Sequence, residues 1–242
     1  ARSGTAFSQS DTINYTYNDR NEVIGADAVN DISYDFSMSF DNIGNRLDYS
    51  TYETGSEVST TYWADDAKTA QGANQLNQYE KYTEGTTDKD LSHDADGNMT
   101  SIPATGGSMP LQALEWNGEN RLVVAEKTDQ KLEFTYDYMG RRVEKKVYSG
   151  STGNWTLDTH LKFVYDGYKK IETLDGLNSD TVIKKNIWSG ETMLAETQGT
   201  DTYYALADAN KNITEYLDST GAIMQHNEYS PFGKITNQTG SM

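Results

Sequence analysis

Three histidines, His93, His160 and His226, are the first residues to weigh for proton transfer or metal ligation. They stand 67 and 66 residues apart (160 − 93 and 226 − 160) and share no ligand spacing, so no acid–base or metal site is read from them. The run Asp94-Ala95-Asp96-Gly97-Asn98 starts like a calcium loop. Such a loop needs glycine at its sixth position and glutamate at its twelfth, where this chain has Met99 and Thr105. A turn accounts for the run instead. Asp65-Asp66 has the chemistry for glycoside hydrolysis, but with 37 Asp and Glu in the chain a solvated surface is the default for such a pair. A nucleophilic serine would need an elbow such as Gly-x-Ser-x-Gly, and none is present. Gly106-Gly107 lacks the glycine spacing and the strand–helix setting of a nucleotide site. The chain is therefore read as having no catalytic, cofactor-binding or metal-binding residues, and as not being an enzyme.

The formal charge is 20 − 37 = −17. Such a surface repels phosphate backbones and anionic headgroups, which argues against nucleic acid and membrane surfaces as partners. No apolar run approaches the roughly 18 residues of a membrane span. Cysteine is absent, so there is no disulfide framework; this is ordinary for a bacterial secreted protein and unusual for an animal ectodomain. The five Asn-x-Ser/Thr sequons, at Asn14, Asn98, Asn154, Asn212 and Asn237, matter only in a eukaryotic source.

Apolar content is low at 35%, yet aromatics reach 11%, with 17 Tyr and 4 Trp. A tyrosine ring packs while its hydroxyl needs a partner or water, so a partly wet interior is expected. The chain opens on Ala1-Arg2-Ser3-Gly4 and ends on Gly240-Ser241-Met242 with no closing element; both ends read as cuts through a longer polypeptide.

The elements that carry these residues show themselves as a repeat. One unit is Tyr136-Asp137-Tyr138-Met139-Gly140-Arg141-Arg142-Val143, and another is Phe40-Asp41-Asn42-Ile43-Gly44-Asn45-Arg46-Leu47. Further copies begin at His93-Asp94 with Gly97 and at Trp116-Asn117 with Gly118; weaker ones begin at Tyr17-Asn18 and Tyr165-Asp166. The opening residues fall at 17, 40, 93, 116, 136 and 165, with gaps of 23, 53, 23, 20 and 29. The long gap is expected to hide a degenerate unit near Tyr62-Trp63.

Each unit reads as a hairpin. The aromatic ends an incoming strand, and Asp or Asn starts the turn because its side chain can bond the backbone two residues on. Gly or Asn takes the left-handed position, and Arg-Leu or Arg-Val begins the outgoing strand. Alternation agrees: Leu132, Phe134 and Tyr136 share one face, and Leu161, Phe163 and Tyr165 repeat the pattern. Helix signals are nearly absent; Trp63 to Gln78 is the best exception, weakened by Gly72 and its Asn-rich end. Residues 83–90 and 101–110 read as loops. The fold class expected is all-β, built of consecutive antiparallel hairpins.

These units resemble the RHS/YD-repeat family across nearly the whole chain. The C-terminal quarter carries the most specific part. It runs Tyr203-Tyr204-Ala205-Leu206-Ala207-Asp208-Ala209-Asn210-Lys211-Asn212, continues through Gly221, and closes on Tyr229-Ser230-Pro231-Phe232-Gly233. This is similar to the RHS-associated core, with Asn210 or Asn212 where the family has Gly and Ser230 where it has Asp. In the Ser230 turn Pro231 suits the second position and Gly233 the fourth. The resemblance divides the chain into repeats over 1–200 and the start of a truncated associated core over 201–242. It implies hairpins joined edge to edge in a spiralling, curved sheet that forms part of a hollow shell.

In bacterial members the shell encloses a C-terminal toxin or effector; in teneurins it belongs to an adhesion ectodomain. The family's self-cleaving aspartates lie in an Asp-Pro-x-Gly region past the Pro-Phe-Gly turn, so none is carried over. The resemblance thus implies a structural shell segment of a secreted or surface protein, bacterial in source. Its partners would be the rest of a larger polypeptide and an enclosed toxin. The alternative is an adhesion module whose exposed aromatics bind glycans or a cell surface.

Overall fold

The computed structural model describes residues 11–53, 56–103, 111–230 and 232–242. It is all-β among these residues, apart from one 3-10 turn at Ile32–Tyr34. The chain divides into two compact units, 1–128 and 129–242.

The first unit holds a sheet of seven strands in sequence order: β1 (Ile13–Tyr17), β2 (Val23–Ala28), β3 (Phe36–Phe40), β4 (Arg46–Glu53), β5 (Ser56–Trp63), β6 (Lys81–Glu84) and β7 (Thr87–Asp90). Two hairpins follow, β8 (Ser92–His93) with β9 (Met99–Ser101), and β10 (Ala113–Trp116) with β11 (Leu122–Lys127). The second unit is a continuous run: β12 (Gln130–Tyr136), β13 (Arg142–Ser151), β14 (Asn154–Asp166), β15 (Lys169–Asp175), β16 (Thr181–Ser189), β17 (Thr192–Gln198), β18 (Asp201–Ala207), β19 (Ile213–Leu217), β20 (Ile223–Tyr229) and β21 (Ile235–Gly240). Every strand of this run pairs antiparallel with the next, and the run stays open. Such pairing of chain neighbours is what a string of hairpins produces, since short turns bring only adjacent segments together.

One segment departs from the sequence reading. Residues 83–90 are a hairpin rather than a loop: β6 and β7 pair around Gly85, whose φ of 59° makes a tight turn possible. Their polar composition hid them, because period-2 patterning needs one buried face and this short pair buries little. The stretch Trp63 to Gln78 is not helical. It doubles back, with Gln71 bridging Trp63 and the Gly72 N–H bonding the Tyr62 carbonyl at 2.9 Å. Of the expected loop 101–110, positions 104–110 lie outside the described residues. The motif division at 200/201 falls in the turn between β17 and β18, inside the second unit.

Burial is thin and differs between the units. The first buries Ala26, Ala28, Met38, Tyr82, Leu114 and Ala125. In the second, Ala195 is the buried apolar residue among those described, beside the polar Thr173, Glu196, His226 and Asn227. Most other strand residues are half-buried, as expected for sheets rich in Tyr, Thr and Lys.

Candidate functional site

The sequence repeat becomes one turn, built the same way at most of its copies. At Asp137 the backbone N–H bonds the Arg141 carbonyl at 3.0 Å, and the Gly140 N–H bonds the Asp137 carbonyl at 3.0 Å. The Asp137 Oδ1 accepts the N–H groups of Met139 and Arg141 at 2.9 and 3.0 Å. Gly140 takes φ 80°. The side-chain oxygen thus satisfies two turn N–H groups that the tight chain path leaves without a backbone partner. The same bonds recur at Asn18, Asp41, Asp94, Asn117, Asp208 and Asp218. Ser230 makes a reduced version: its hydroxyl accepts the Lys234 N–H at 3.1 Å, with Gly233 at φ 79°. Pro231 lies outside the described residues, and Phe232 is exposed.

The hidden unit of the long gap is Asn74-Gln75-Leu76-Asn77-Gln78, a dozen residues past the expected place. The Asn74 Oδ1 accepts the Leu76 and Gln78 N–H groups at 2.9 and 3.1 Å, and Asn77 takes φ 61°. With no glycine and no aromatic before it, the unit lacks both sequence markers.

Several predicted residues sit differently from their reading. Gly118 is not the left-handed residue of its turn; Asn120 is, at φ 57°. Neither Asn210 nor Asn212 takes that role in the Asp208 turn; Lys211 does, at φ 66°. In both, the position is set by counting three residues from the Asx that starts the turn, so the hydrogen bonds outrank the preference of any residue type. Asp166 starts no such turn: it pairs with Lys169 across a two-residue loop with Gly167 at φ 58°. Tyr203 and Tyr204 lie within β18 and pair with Glu196 and Ala195.

The aromatic before each turn marks a second device that the sequence did not show. Tyr17 pairs with Val23, Phe40 with Arg46, His93 with Met99, Trp116 with Leu122, Tyr136 with Arg142 and Tyr229 with Ile235. In every case the next pair skips one residue of the outgoing strand, which is a β-bulge. Bulges bend a strand and add local twist. Repeated beside each turn, they act always at the same end of a hairpin.

Successive turns are also tied to one another. An Arg20 Nη2 hydrogen bonds the Asp41 carbonyl at 2.6 Å, Asn45 Nδ2 bonds Asn77 Oδ1 at 2.7 Å, and Asn98 Nδ2 bonds Asn120 Oδ1 at 3.0 Å. In the second unit the Arg141 guanidinium reaches the Gly167 carbonyl.

These bonds hold the Asp41, Asp94, Asp137 and Asp218 carboxylates ionised. Burial works to raise the Asp137 carboxyl, but the Arg141 guanidinium and the turn N–H groups outweigh it and bring it below the usual range. Asn98 and the turn N–H groups lower Asp94. Asp65, once weighed for hydrolysis, is lowered by the Thr69 N–H and hydroxyl, and its neighbour Asp66 is an exposed side chain 3.9 Å from Lys81. No group of three or more His, Cys, Asp or Glu suited to a metal ion occurs among the described residues.

The histidines separate. His93 occupies the aromatic slot of its turn. The His160 ring packs against Gly176, where a β-carbon would come within 2.5 Å of Nδ1. His226 is 1% exposed and lies between Glu215 Oε1 at 2.8 Å and Glu228 Oε1 at 3.1 Å. Sequence spacing gave no warning of this, since the partners come from strand pairing: Glu215 is opposite His226 across β19 and β20.

The fold and the turn geometry define an all-β protein of consecutive, turn-linked hairpins. No family model matches the chain, and no curated protein matches it. Among solved structures, a TcdB2-TccC3 crystal structure is 14% identical with a TM-score of 0.37, over 94% of this chain and 15% of that one. A TcdB2-TccC3-TEV structure gives 16% and a TM-score of 0.38, over 94% and 15%. A protein of unknown function from Bacteroides fragilis gives 16% and 0.17, over 68% of this chain and 99% of that one. The chain spans about 15% of the TcdB2-TccC3 chains it matches. Likeness at these TM-scores carries no argument about activity. No helix among the described residues is long and apolar enough to cross a membrane.

Proposed function

We propose that the chain is a non-catalytic segment of a shell-forming secreted or surface polypeptide that encloses or presents another polypeptide. The observation that carries this reading is the recurrence of one turn with its bulge along both units, tied in places to a neighbouring turn. A device that bends a hairpin beside its turn, repeated along the chain, suits a wall better than a pocket. The likeness to TcdB2-TccC3 agrees with a role in a larger toxin-related assembly. In this reading the turn carboxylates are structural acceptors, held ionised and already satisfied, and no side chain acts on a substrate.

The test is protease protection of the parent polypeptide. The segment following the shell is expected to resist digestion while the shell is intact and to become accessible once mild denaturant opens it. Equal accessibility in both conditions would sink the shell reading. Turnover of a glycan or peptide by residues 1–242, abolished by one acidic substitution, would sink the non-catalytic reading.

A second reading rests on Tyr138 and Tyr168, which are 89% and 73% exposed on the turns joined through Arg141. Exposed tyrosine rings suit stacking on sugars. A glycan array with the chain and its Tyr138→Ala/Tyr168→Ala variant separates adhesion from shell building.

A further inference from the structure

The strand register collects cations on one face of the second unit. Lys145 pairs with Phe134 and with Leu161, Arg142 with Tyr136, Lys170 with Tyr165, and Lys184 with Thr173. These residues share a face because paired residues of neighbouring strands point the same way. Their contacts agree. The Arg142 guanidinium lies 5.1 and 5.8 Å from the Phe134 and Phe163 ring centres, and the Lys170 ammonium 5.3 Å from Phe163. Two carboxylates share this face: Glu196 bonds Lys184 at 2.7 Å, and Asp175, opposite Leu161, accepts the Leu177 N–H at 3.0 Å. Arg142, Lys145 and Lys170 have no carboxylate within ion-pair distance among the described residues. In a chain with 37 acids and 20 bases, Arg142 and Lys170 stand off carboxylates and lie on aromatic rings. Burial, with Lys184 and Arg142 nearby, pulls Lys170 below its usual range against the opposing pull of Glu196.

We propose that this face of β13–β16 docks an extended, carboxylate-bearing polypeptide segment. The proposal rests on the shell reading and names the chemistry of what the shell holds. Charge complementarity selects the occupant. Cations on β13 and β15 lie two strand spacings apart, roughly 10 Å, which an extended peptide covers in about three residues. A segment crossing the strands in the extended polyproline II conformation, with three residues per turn and an acid at every third residue, would place carboxylates over Arg142 and Lys170. A nucleic acid would also answer to cations and rings. Its charge at every phosphate opposes the −17 of the whole chain, whereas a short acidic segment carries few charges.

The test measures fluorescence anisotropy of a labelled peptide of repeating Glu-Ser-Thr with residues 1–242 at low salt. The same peptide with Lys for Glu and an oligothymidylate serve as competing probes. The Glu peptide is expected to bind and to weaken as salt rises. Arg142→Gln/Lys170→Gln is expected to lose about tenfold or more in affinity, while Arg142→Lys keeps most of it. Circular dichroism establishes that the variants fold; if the double variant does not, Lys145→Gln, without ring contacts to lose, gives the same comparison. Equal binding of Glu and Lys peptides, no binding, or unchanged affinity in the folded variants would overturn the proposal. Displacement of the Glu peptide by less oligothymidylate would overturn it in favour of nucleic acid. This experiment needs no parent polypeptide, so its failure is separate from a failure of protease protection.

Discussion

The two units share a turn and differ in what stands behind it. Residues 1–128 carry 8 Lys and Arg against 21 Asp and Glu, a charge of 8 − 21 = −13; residues 129–242 carry 12 against 16, or 12 − 16 = −4. In the first unit cations are tied to acids close by, as in Arg20–Glu22, Lys68–Asp88, Lys81–Asp90 and Arg121–Glu119. The second has such pairs too, as in Lys131–Glu133, Arg141–Asp137 and Lys162–Asp180, but there Arg142 and Lys170 share the Phe163 ring away from carboxylates, whereas in the first Arg46 lies over Tyr49 and Tyr62. The first unit buries alanines, a methionine and a tyrosine, while the second buries mostly polar groups. A sheet can therefore be held by an ordinary thin core or by a polar, cation–aromatic layer, with the same turns serving both. The second kind leaves a face able to respond to a charged partner.

The contrast breaks most sharply at the buried polar groups. His226→Ala in the second unit empties a fully buried ring site and removes the hydrogen-bond partner that Glu215 and Glu228 share, and is expected to cost about 3–5 kcal/mol. Its counterpart in the first unit is Asp11, buried and accepting the N–H groups of Thr12, Asn30 and Asp31. Asp11→Ala should cost less, about 1–3 kcal/mol, since the N–H groups it frees lie near the surface. Denaturant unfolding of both variants checks the order; a larger loss at Asp11 would reverse the comparison.

Gly150 comes next, with an expected loss of about 2–4 kcal/mol for Gly150→Ala. Its φ is 137° and an added β-carbon would run into the Asn154 carbonyl. The damage should stay in the β13–β14 hairpin, so hydrogen exchange should speed up there and remain slow in β3 and β4.

Asp137→Ala and Asn117→Ala remove the same two acceptor bonds in different units. Each is expected to cost about 1–2 kcal/mol. Asp137→Ala should cost more because it also removes the ion pair with the Arg141 guanidinium, 2.6 Å away. Equal melting temperatures for the two variants would show that the ion pair adds nothing.

Alkaline pH should load both units. Burial pushes Tyr82 and Tyr216 up to about 12, and burial with the bond to Glu133 does the same for Tyr148. A tyrosine raised in the folded state keeps its proton where the unfolded chain loses it. The stability it contributes is full below about pH 10 and drains away as pH rises toward 12. Tyrosinate absorbance should show late ionisation that coincides with unfolding. Ordinary titration of all tyrosines near 10 would contradict the buried placements.

The smallest effect is a gain. Lys211→Gly removes a β-carbon from a left-handed position and is expected to stabilise by up to about 1 kcal/mol, read as a rise in Tm. A fall would mean that the lysine side chain, rather than its backbone, matters at that turn.

The sequence by itself determined what a short stretch of chain can settle. Asp137 and Gly140 are three residues apart, and so are Asp41 and Gly44, so the turn, its acceptor and its left-handed residue follow from local geometry. The alternation of Leu132, Phe134 and Tyr136 marked a strand for the same reason. Where the markers were missing the turn was missed, at Asn74, or its left-handed residue was misplaced, at Asn120 and Lys211, because there hydrogen bonds made in the folded chain override residue preference. What only the tertiary structure decided depends on residues far apart in sequence: the bulge beside each turn, the Asn45–Asn77 and Asn98–Asn120 ties, the grip of two glutamates on His226, and the gathering of Arg142, Lys145, Lys170 and Lys184 on one face. Strand register sets all of these, and a shift of one residue would turn each side chain to the other face.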